Sequence, residues 1–435
     1  MCTISLAQFF LFISVLLYSC GVLAKFCTQT NQCSEIVAKQ RQHFPRVRAV
    51  LKGHGVFEEN YFIVVTNVSV GTPPQHFRLQ LDAFRFQRLV LLNYEEGSNY
   101  DSESDHYWKA GNRFEYSDSG TFSLFPRGFN DIFGIGRYGS DIVQINNFVA
   151  EIKFAILEEM NDDFIGQTWA DGYLGLAPPY APVHRGWVED NNLPALLQQL
   201  ARSLEKPFVS ISARIFLGNR IFFNCLHALQ SSVECYDRRV RHSLAVQTPH
   251  SDNSMSFANL DITLGGLDTD HCQDNWRFSP QTGPGYTVRA SHFTIQKGDI
   301  SEGIAIDTNV YVQDSQEYDL PVAMANLALP FTGNVTRTWM GGIVIDDCDV
   351  SKYPNLTFSI GSEEINDSWK FNLTITPADY IFYGSLVRYY VDTRCYFLLR
   401  NSTSESVVLP TQFFLRHCLA YDIKHHLVGF ADRKL

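Results

Sequence analysis

Short apolar runs alternate with turn residues over most of the chain. Residues 76–81 alternate polar and apolar side chains with period two, which predicts a strand with one buried face. Leu89 to Leu92 are all apolar and predict a fully buried strand. Similar runs predict further strands at 61–65, 142–145, 149–157, 171–176, 260–266, 303–312, 341–346, 356–360, 371–375, 395–399 and 413–430. The pattern therefore predicts a mostly β protein.

Few segments have a helical pattern. Residues 192–200 begin with Asn at the capping position and carry Pro194 in the first turn, which predicts a short helix. A second helix is predicted over 321–327. Residues 213–258 show weak periodicity and a polar Ser/His/Asn stretch, so they are predicted to form an insertion near the junction of two halves.

Two aspartates stand at corresponding places in the two halves. Asp82 and Asp307 each follow an alternating apolar strand, and each is predicted to enter a short turn, Asp82-Ala83-Phe84 and Asp307-Thr308-Asn309. Two such carboxylates suggest an acid–base site. Neither turn contains a glycine, which tolerates the close approach of two backbones.

Composition places the chain among globular proteins. It has 435 residues, of which 45% are apolar and 19% charged, so it can form two domains or one large bilobal domain. With 33 Phe and 20 Tyr, it can bury a large core. The net charge of −11 argues against a nucleic-acid-binding protein.

The N-terminal region resembles a targeting segment. Residues 1–24 are uncharged and apolar from Leu6 to Leu17, which predicts a secretory signal peptide and a secreted, extracellular or lysosomal protein. The alternative is an N-terminal membrane anchor. No later stretch is apolar for long enough to span a bilayer. Residues 25–57 are basic and form either an inhibitory prosegment or a solvated arm.

Cysteines and glycosylation signals fit that route. The eight cysteines after the signal form an even set, which predicts disulfides: Cys27, Cys33, Cys225, Cys235, Cys272, Cys348, Cys395 and Cys418. Glycosylation is predicted at Asn334, Asn355, Asn366, Asn372 and Asn401. Asn67 also lies in an acceptor motif, but it is close to an apolar run and is predicted to be unused.

Five motifs follow one another between about Tyr61 and Ala431. They are Val70-Gly71-Thr72-Pro73-Pro74-Gln75, Leu81-Asp82-Ala83-Phe84, Phe114-Glu115-Tyr116-Ser117-Asp118-Ser119-Gly120, Asp171-Gly172-Tyr173-Leu174-Gly175-Leu176, and Ala305-Ile306-Asp307-Thr308-Asn309. In this order they resemble the pepsin-like aspartic peptidases, most closely the secreted nematode members, with the third motif in the place of the flap hairpin. The resemblance implies a bilobal β fold with a pseudo-twofold axis and a central cleft. We expect a first lobe over 58–210 and a second lobe over 211–435.

In active members of that family two aspartates share one proton across the cleft and activate a water, without metal or cofactor. The resemblance makes Asp82 and Asp307 the candidate dyad. It makes Tyr116, Phe84, Thr308 and Asn309 candidate substrate-binding residues, with Phe129 as the alternative flap aromatic.

The departures from the family fall at this one site. Phe84 and Asn309 replace the family's glycines, and Ala83 replaces a threonine. Arg85 is expected to pair with Asp82, and Pro410 replaces the glycine of the second psi-loop.

These departures favour a non-catalytic homologue that binds a peptide or protein ligand in its cleft, and we expect a monomer. The alternatives are an acid endopeptidase and, less favoured, another two-carboxylate hydrolase such as a glycosidase.

The resemblance also suggests how the cysteines pair. It implies the disulfides Cys348–Cys395 and Cys272–Cys418. Short spacing then leaves Cys225–Cys235 and Cys27–Cys33, although eight cysteines permit 105 pairings. No cluster of residues has the spacing of a metal site.

Overall fold

The computed structural model describes residues 46–434 with gaps. The gaps are 53, 59–60, 85, 94–111, 132–133, 161–169, 180–192, 215–258, 314–316, 333–334, 338–342, 346, 362–368 and 384–394. The predicted signal peptide, most of the basic leader and nearly all of the predicted insertion therefore lie outside the described residues.

The described residues form twenty-five strands and three short helices. The strands are β1 (Ala49–Lys52), β2 (His54–Glu58), β3 (Tyr61–Val70), β4 (Gln75–Asp82), β5 (Leu89–Leu92), β6 (Ser123–Asp131), β7 (Gly134–Ile145), β8 (Phe148–Met160), β9 (Gly172–Gly175), β10 (Phe208–Arg214), β11 (Asn259–Leu264), β12 (Arg277–Pro280), β13 (Thr287–Lys297), β14 (Ile300–Val312), β15 (Tyr318–Pro321), β16 (Val335–Arg337), β17 (Ile343–Ile345), β18 (Asn355–Ile360), β19 (Phe371–Ile375), β20 (Ile381–Tyr383), β21 (Cys395–Phe397), β22 (Leu399–Ser402), β23 (Val407–Leu409), β24 (His417–Asp422) and β25 (Leu427–Asp432). The helices are α1 (Leu196–Leu200), α2 (Val322–Ala328) and α3 (Pro377–Tyr380).

The strands follow the sequence pattern closely. In β4 the apolar positions Phe77, Leu79 and Leu81 are buried and the polar residues between them are more exposed, as the period-two alternation predicts. All four residues of β5 are buried. Both predicted helices are present as α1 and α2, but α1 begins only at Leu196, so the predicted cap at Asn192 and the place of Pro194 in the first turn are wrong. Each helix buries one apolar face, Leu196, Leu197 and Leu200 in α1 and Met324, Ala325 and Ala328 in α2.

The two halves of the chain repeat one strand arrangement. In the first half β9 lies between β4 and β5, parallel to β4 and antiparallel to β5. In the second half β23 lies between β14 and β15, again parallel to the first and antiparallel to the second. The flanking strands match as well, because β5 pairs in parallel with β8 and β15 pairs in parallel with β22. The chain therefore contains two related β units.

A six-stranded sheet draws on both ends of the described chain. Its order is β1-β11-β10-β24-β25-β12. The eight-stranded sheet belongs to the first unit, and the seven-stranded and four-stranded sheets belong to the second. Ala49 and Leu51 of β1 are buried, so the alternative of a solvated basic arm is wrong for these residues. They are part of the folded sheet.

Candidate functional site

The Asp82 turn joins β4 to β5. The backbone N–H of Phe84 donates a 2.8 Å hydrogen bond to Asp82 Oδ1. The backbone N–H of Leu176 donates to the Asp82 carbonyl at 2.7 Å, and Ala83 is buried. The turn thus holds the carboxylate with a backbone donor although phenylalanine stands where the family has glycine.

Gly175 shows why the neighbouring strand needs glycine. A Cβ atom at this position would lie 2.5 Å from the carbonyl carbon of Phe86. The Gly175 N–H also donates to the Arg88 carbonyl at 2.9 Å. The missing side chain lets the Asp82 turn approach β9 closely.

The ring of Phe84 packs against aromatic residues of the second half. Its centroid lies 6.1 Å from that of Tyr286 and 5.8 Å from that of Phe414. Tyr286 and Phe414 are fully buried, and Phe84 itself is half-buried. These contacts place an apolar side chain between the two units beside Asp82.

Two tyrosines lie within electrostatic reach of Asp82. Burial raises the pKa of the Tyr173 hydroxyl far above its ordinary value, and the negative charge of Asp82 adds to this effect. The pKa of the fully buried Tyr286 hydroxyl is raised in the same way, by burial first and then by Tyr421 and Asp82. Both hydroxyls therefore stay protonated at any physiological pH.

The placement of Asp307 contradicts the prediction of a turn. Asp307 lies inside the continuous strand β14, because pairing with β13 continues on both sides of it. Ala290 pairs with Thr308 and His292 pairs with Ala305, so Ile306 and Asp307 together oppose Ser291 in a β-bulge. The predicted turn fails because pairing with the preceding strand β13 outweighs the local Asp-Thr-Asn signal.

The carboxylate of Asp307 is exposed and paired with an arginine. Its side chain is 75% exposed, and Arg289 Nε donates to Asp307 Oδ1 at 2.5 Å. The hydrogen bond from Arg289, aided by its positive charge, lowers the pKa of Asp307 below its ordinary value. Among the described residues this arginine is the partner of Asp307. A shared proton with Asp82 requires a different environment, a carboxyl pair excluded from cations.

The strand register identifies a different counterpart of Asp82. Leu81 pairs with Leu174, and Asp82 pairs with Gly175. In the second unit Val312 pairs with Leu409, and the Gln313 N–H donates to the Leu409 carbonyl at 3.0 Å.

Leu409 is followed by Pro410, as Leu174 is followed by Gly175. The residue level with Pro410 is Gln313, so Gln313 occupies the position in the second unit that Asp82 occupies in the first. Asp307 lies six residues earlier on the strand. The prediction that Asp82 and Asp307 are equivalent is therefore wrong in register. Pro410 alone did not indicate Gln313, because it identifies β23 but not the residue of β14 that pairs with it. Asp314, the next residue, lies outside the described residues.

The two other predicted residues on β14 are held by neighbours. The Thr308 hydroxyl donates to the Glu405 carbonyl. The Asn309 side-chain oxygen accepts hydrogen bonds of 3.3 Å from both Thr282 and Arg289. Their predicted contact with a ligand stays a prediction.

The segment predicted to form the flap hairpin does not form one at residues 116–118. Residues 116–118 form a single 3₁₀ turn, not a hairpin, and the ring of Tyr116 packs 5.5 Å from that of Phe122. The long hairpin is made by β6 and β7. Phe129, the alternative aromatic, lies on β6 of this hairpin with its ring 5.0 Å from that of Tyr138.

A serine explains why the 3₁₀ segment is fixed. The hydroxyl of Ser119 accepts a 3.1 Å hydrogen bond from the Thr72 N–H. A Cβ atom at Gly71 would lie 2.8 Å from that hydroxyl oxygen. The segment is thus tied to the turn at 71–74, which leaves it no room to form a free hairpin.

Both disulfides implied by the resemblance are present, Cys272–Cys418 and Cys348–Cys395. The other two predicted pairs lie outside the described residues. So does Arg85. Of the predicted glycosylation sites, Asn372 and Asn401 are exposed and Asn355 is half-buried, while Asn334 and Asn366 are outside the described part.

The described part of the chain offers neither a metal site nor a membrane-spanning helix. Within it, no three His, Cys, Asp or Glu side chains are grouped so that they could hold a metal ion. In the same residues, no helix is both long and apolar enough to cross a membrane.

Comparison with known proteins points to the same family as the sequence motifs. The chain is 23% identical to Aspartic protease 17 of Caenorhabditis elegans over 428 residues, which cover 90% of this chain and 88% of the relative. No family model matches the chain. The similarity to this protein extends over most of the chain, and the chain contains two related β units. The predicted mostly β, bilobal pepsin-like fold is confirmed.

Proposed function

We propose that the protein is a secreted, monomeric homologue of the pepsin-like peptidases, of the nematode type, that binds a peptide or protein ligand in its inter-lobe cleft and has little or no proteolytic activity. The observation that carries this proposal is the strand register. Gln313, an amide, stands where the second unit should supply a carboxylate in line with Asp82. An amide cannot share an acidic proton with Asp82, so the acid–base pair is incomplete.

Two further observations support a binding role. Asp307 is exposed and neutralised by Arg289, which removes it as the partner of Asp82. Phe84 packs on Tyr286 and Phe414 beside the Asp82 turn. An aromatic residue at that place offers apolar contact area to a ligand and keeps water away from the carboxylate.

The second candidate function is an acid endopeptidase. The hydrogen bond from the Phe84 N–H to Asp82 favours it, because the family uses the same donor to orient its catalytic carboxylate. The similarity to a protein named as an aspartic protease favours it too. In this case Asp314, which follows Gln313 in the sequence, is the carboxylate to examine.

One experiment separates the two functions. The full-length chain, secreted from a eukaryotic host, is incubated with denatured haemoglobin across acid pH with and without pepstatin, and pepstatin binding is measured by calorimetry. We expect pepstatin to bind without cleavage of the substrate. Pepstatin-sensitive cleavage would overturn the non-catalytic assignment, and failure to bind pepstatin would count against a preserved peptide cleft.

Three matched variants locate any activity that is found. Asp82→Asn and Asp314→Asn should each abolish pepstatin-sensitive cleavage, whereas Asp307→Asn should leave it unchanged. Loss of cleavage in Asp307→Asn would contradict the register given above.

A further inference from the structure

A pocket lies beside the C-terminal end of β13, in the seven-stranded sheet. Its volume is about 320 Å³, and residues from four places line it. They are the turn between β13 and β14 at Lys297 and Gly298, the 3₁₀ turn at Val350, and the start of β18 and of α3 at Asn355 and Pro377. The volume is at the lower end of the roughly 300–1,000 Å³ of small-molecule sites.

Asn355 lines this pocket and heads the acceptor motif Asn355-Leu356-Thr357. It is the first residue of β18 and pairs across the sheet with Gln296 of β13. Among the described residues its side-chain amide makes no hydrogen bond, in contrast to Asn372, whose Oδ1 accepts a 3.0 Å bond from the Ser359 hydroxyl. The amide of Asn355 is therefore available for modification.

The lining suits a sugar better than an ion or a peptide side chain. Val350 is 39% exposed and Pro377 and Tyr353 add apolar surface, while Lys297, Ser351 and Thr376 add polar groups around it. Sugars present apolar C–H faces and hydroxyl groups together, which matches a pocket lined by polar and apolar groups in similar proportion. A sugar attached to Asn355 also starts at the pocket wall.

We propose that this pocket holds the first N-acetylglucosamine units of an N-glycan attached to Asn355, so that this glycan is packed as part of the fold. The proposal rests on the secretory route proposed above. In the modification, the side-chain nitrogen of Asn355 bonds to C1 of the first N-acetylglucosamine of a lipid-pyrophosphate-linked oligosaccharide. The bond from C1 to the phosphate oxygen breaks, the lipid pyrophosphate leaves, and the amide nitrogen loses one proton.

The contact between sugar and pocket predicts protection from enzymatic release. The full-length chain is secreted from insect cells, and occupancy at each acceptor site is read by glycopeptide mass spectrometry. The folded protein is then treated with a glycan-releasing amidase, which converts each released Asn to Asp. We expect release at Asn355 to be slower than at the exposed Asn401 by about tenfold or more, a free-energy difference of about 1.4 kcal/mol. After denaturation the two rates should be equal.

A variant of the pocket wall is the matched test. Val350→Ser removes apolar surface from a partly exposed position, so the fold should survive, and release at Asn355 should approach the rate at Asn401. Equal release at both sites of the folded wild-type protein would overturn the pocket assignment and leave secretion intact. An unmodified Asn355 beside occupied Asn372 and Asn401 would overturn it too. No glycan at any site would overturn both this inference and the proposed secretion.

Discussion

The ring of Phe84 lies 5.8 Å from the ring of Phe414, so the Asp82 turn of the first unit packs directly on the second unit. Phe414 belongs to the 3₁₀ turn Thr411–Leu415, which begins directly after Pro410. The two segments that depart from the family pattern, around Phe84 and around Pro410, are therefore in contact. Phenylalanine in place of one family glycine and proline in place of the other thus lie in segments that pack against each other.

Replacement of Phe84 should destabilise the protein. Phe84→Ala leaves a cavity against Tyr286 and Phe414, and since Phe84 is only half-buried we expect a loss of about 1–3 kcal/mol, below the roughly 3–5 kcal/mol typical of fully buried phenylalanines. Urea unfolding followed by tryptophan fluorescence measures it. Phe84→Leu, which keeps most of the apolar volume, should lose less than half as much. Equal stability of the alanine variant and the wild type would mean that the ring contacts are unimportant.

The Arg289–Asp307 pair should respond to pH in a defined direction. Because Arg289 lowers the pKa of Asp307, the pair stabilises the fold above the ordinary carboxyl pKa, and this contribution is lost as pH falls through the lowered pKa. In Arg289→Gln the pKa of Asp307 should rise. Carboxyl-carbon NMR, with Asp307→Asn used to assign the signal, measures the shift. An unchanged pKa in Arg289→Gln would contradict the pairing.

Ser212 should matter in a pH-dependent way. Burial alone would raise the pKa of Asp268, but hydrogen bonds from the Ser212 hydroxyl at 2.6 Å and from His271 outweigh it, and the pKa is lowered. Ser212→Ala should cost about 1–3 kcal/mol at neutral pH because it removes a donor from a buried carboxylate. The cost should shrink as pH falls through the lowered pKa and Asp268 becomes protonated.

A neighbouring serine provides the control for that experiment. The buried Ser210 hydroxyl donates to the Gly266 carbonyl at 3.3 Å, a neutral acceptor. Ser210→Ala should therefore destabilise the protein by an amount that does not change with pH. Chemical unfolding of both variants at neutral and acid pH gives the comparison, and parallel pH profiles for the two serines would rule out the charge-based explanation.

The two disulfides should contribute unequally to stability. Cys272–Cys418 closes a separation of 146 residues and Cys348–Cys395 closes 47. Chain entropy predicts that each contributes about 2–5 kcal/mol, with the longer one ahead by roughly 1 kcal/mol. Thermal unfolding of variants in which both cysteines of one disulfide are replaced by serine gives the order. A greater loss of stability from removing Cys348–Cys395 would contradict the prediction.

Local pattern was enough to predict much of the fold. The alternation in 76–81 and the apolar run 89–92 correspond to β4 and β5. The order of polar and apolar side chains along a strand indicates directly whether one or both of its faces are buried. Helix α2 follows from its apolar spacing in the same way. The order of the motifs along the chain predicted the bilobal pepsin-like fold.

The site was harder to predict because the pairing and register of strands determine it. The segment Asp307-Thr308-Asn309 matches a turn motif residue by residue, yet pairing with β13 keeps it extended. The register that brings Gln313 level with Asp82 depends on Val312 meeting Leu409 nearly a hundred residues later. Likewise, residues 116–118 form a 3₁₀ turn, whereas a hairpin forms from β6 and β7. Tertiary pairing decides in each case.

The strand β1 sets a limit on how this chain can be shortened. Residues 49–52 occupy one edge of the six-stranded sheet and cover the backbone of β11. A recombinant chain that starts at residue 58, the expected beginning of the first lobe, would strip that cover and leave the donors and acceptors of β11 open to strands of other molecules. Soluble material for any of these measurements therefore has to retain the chain from Arg46 onwards.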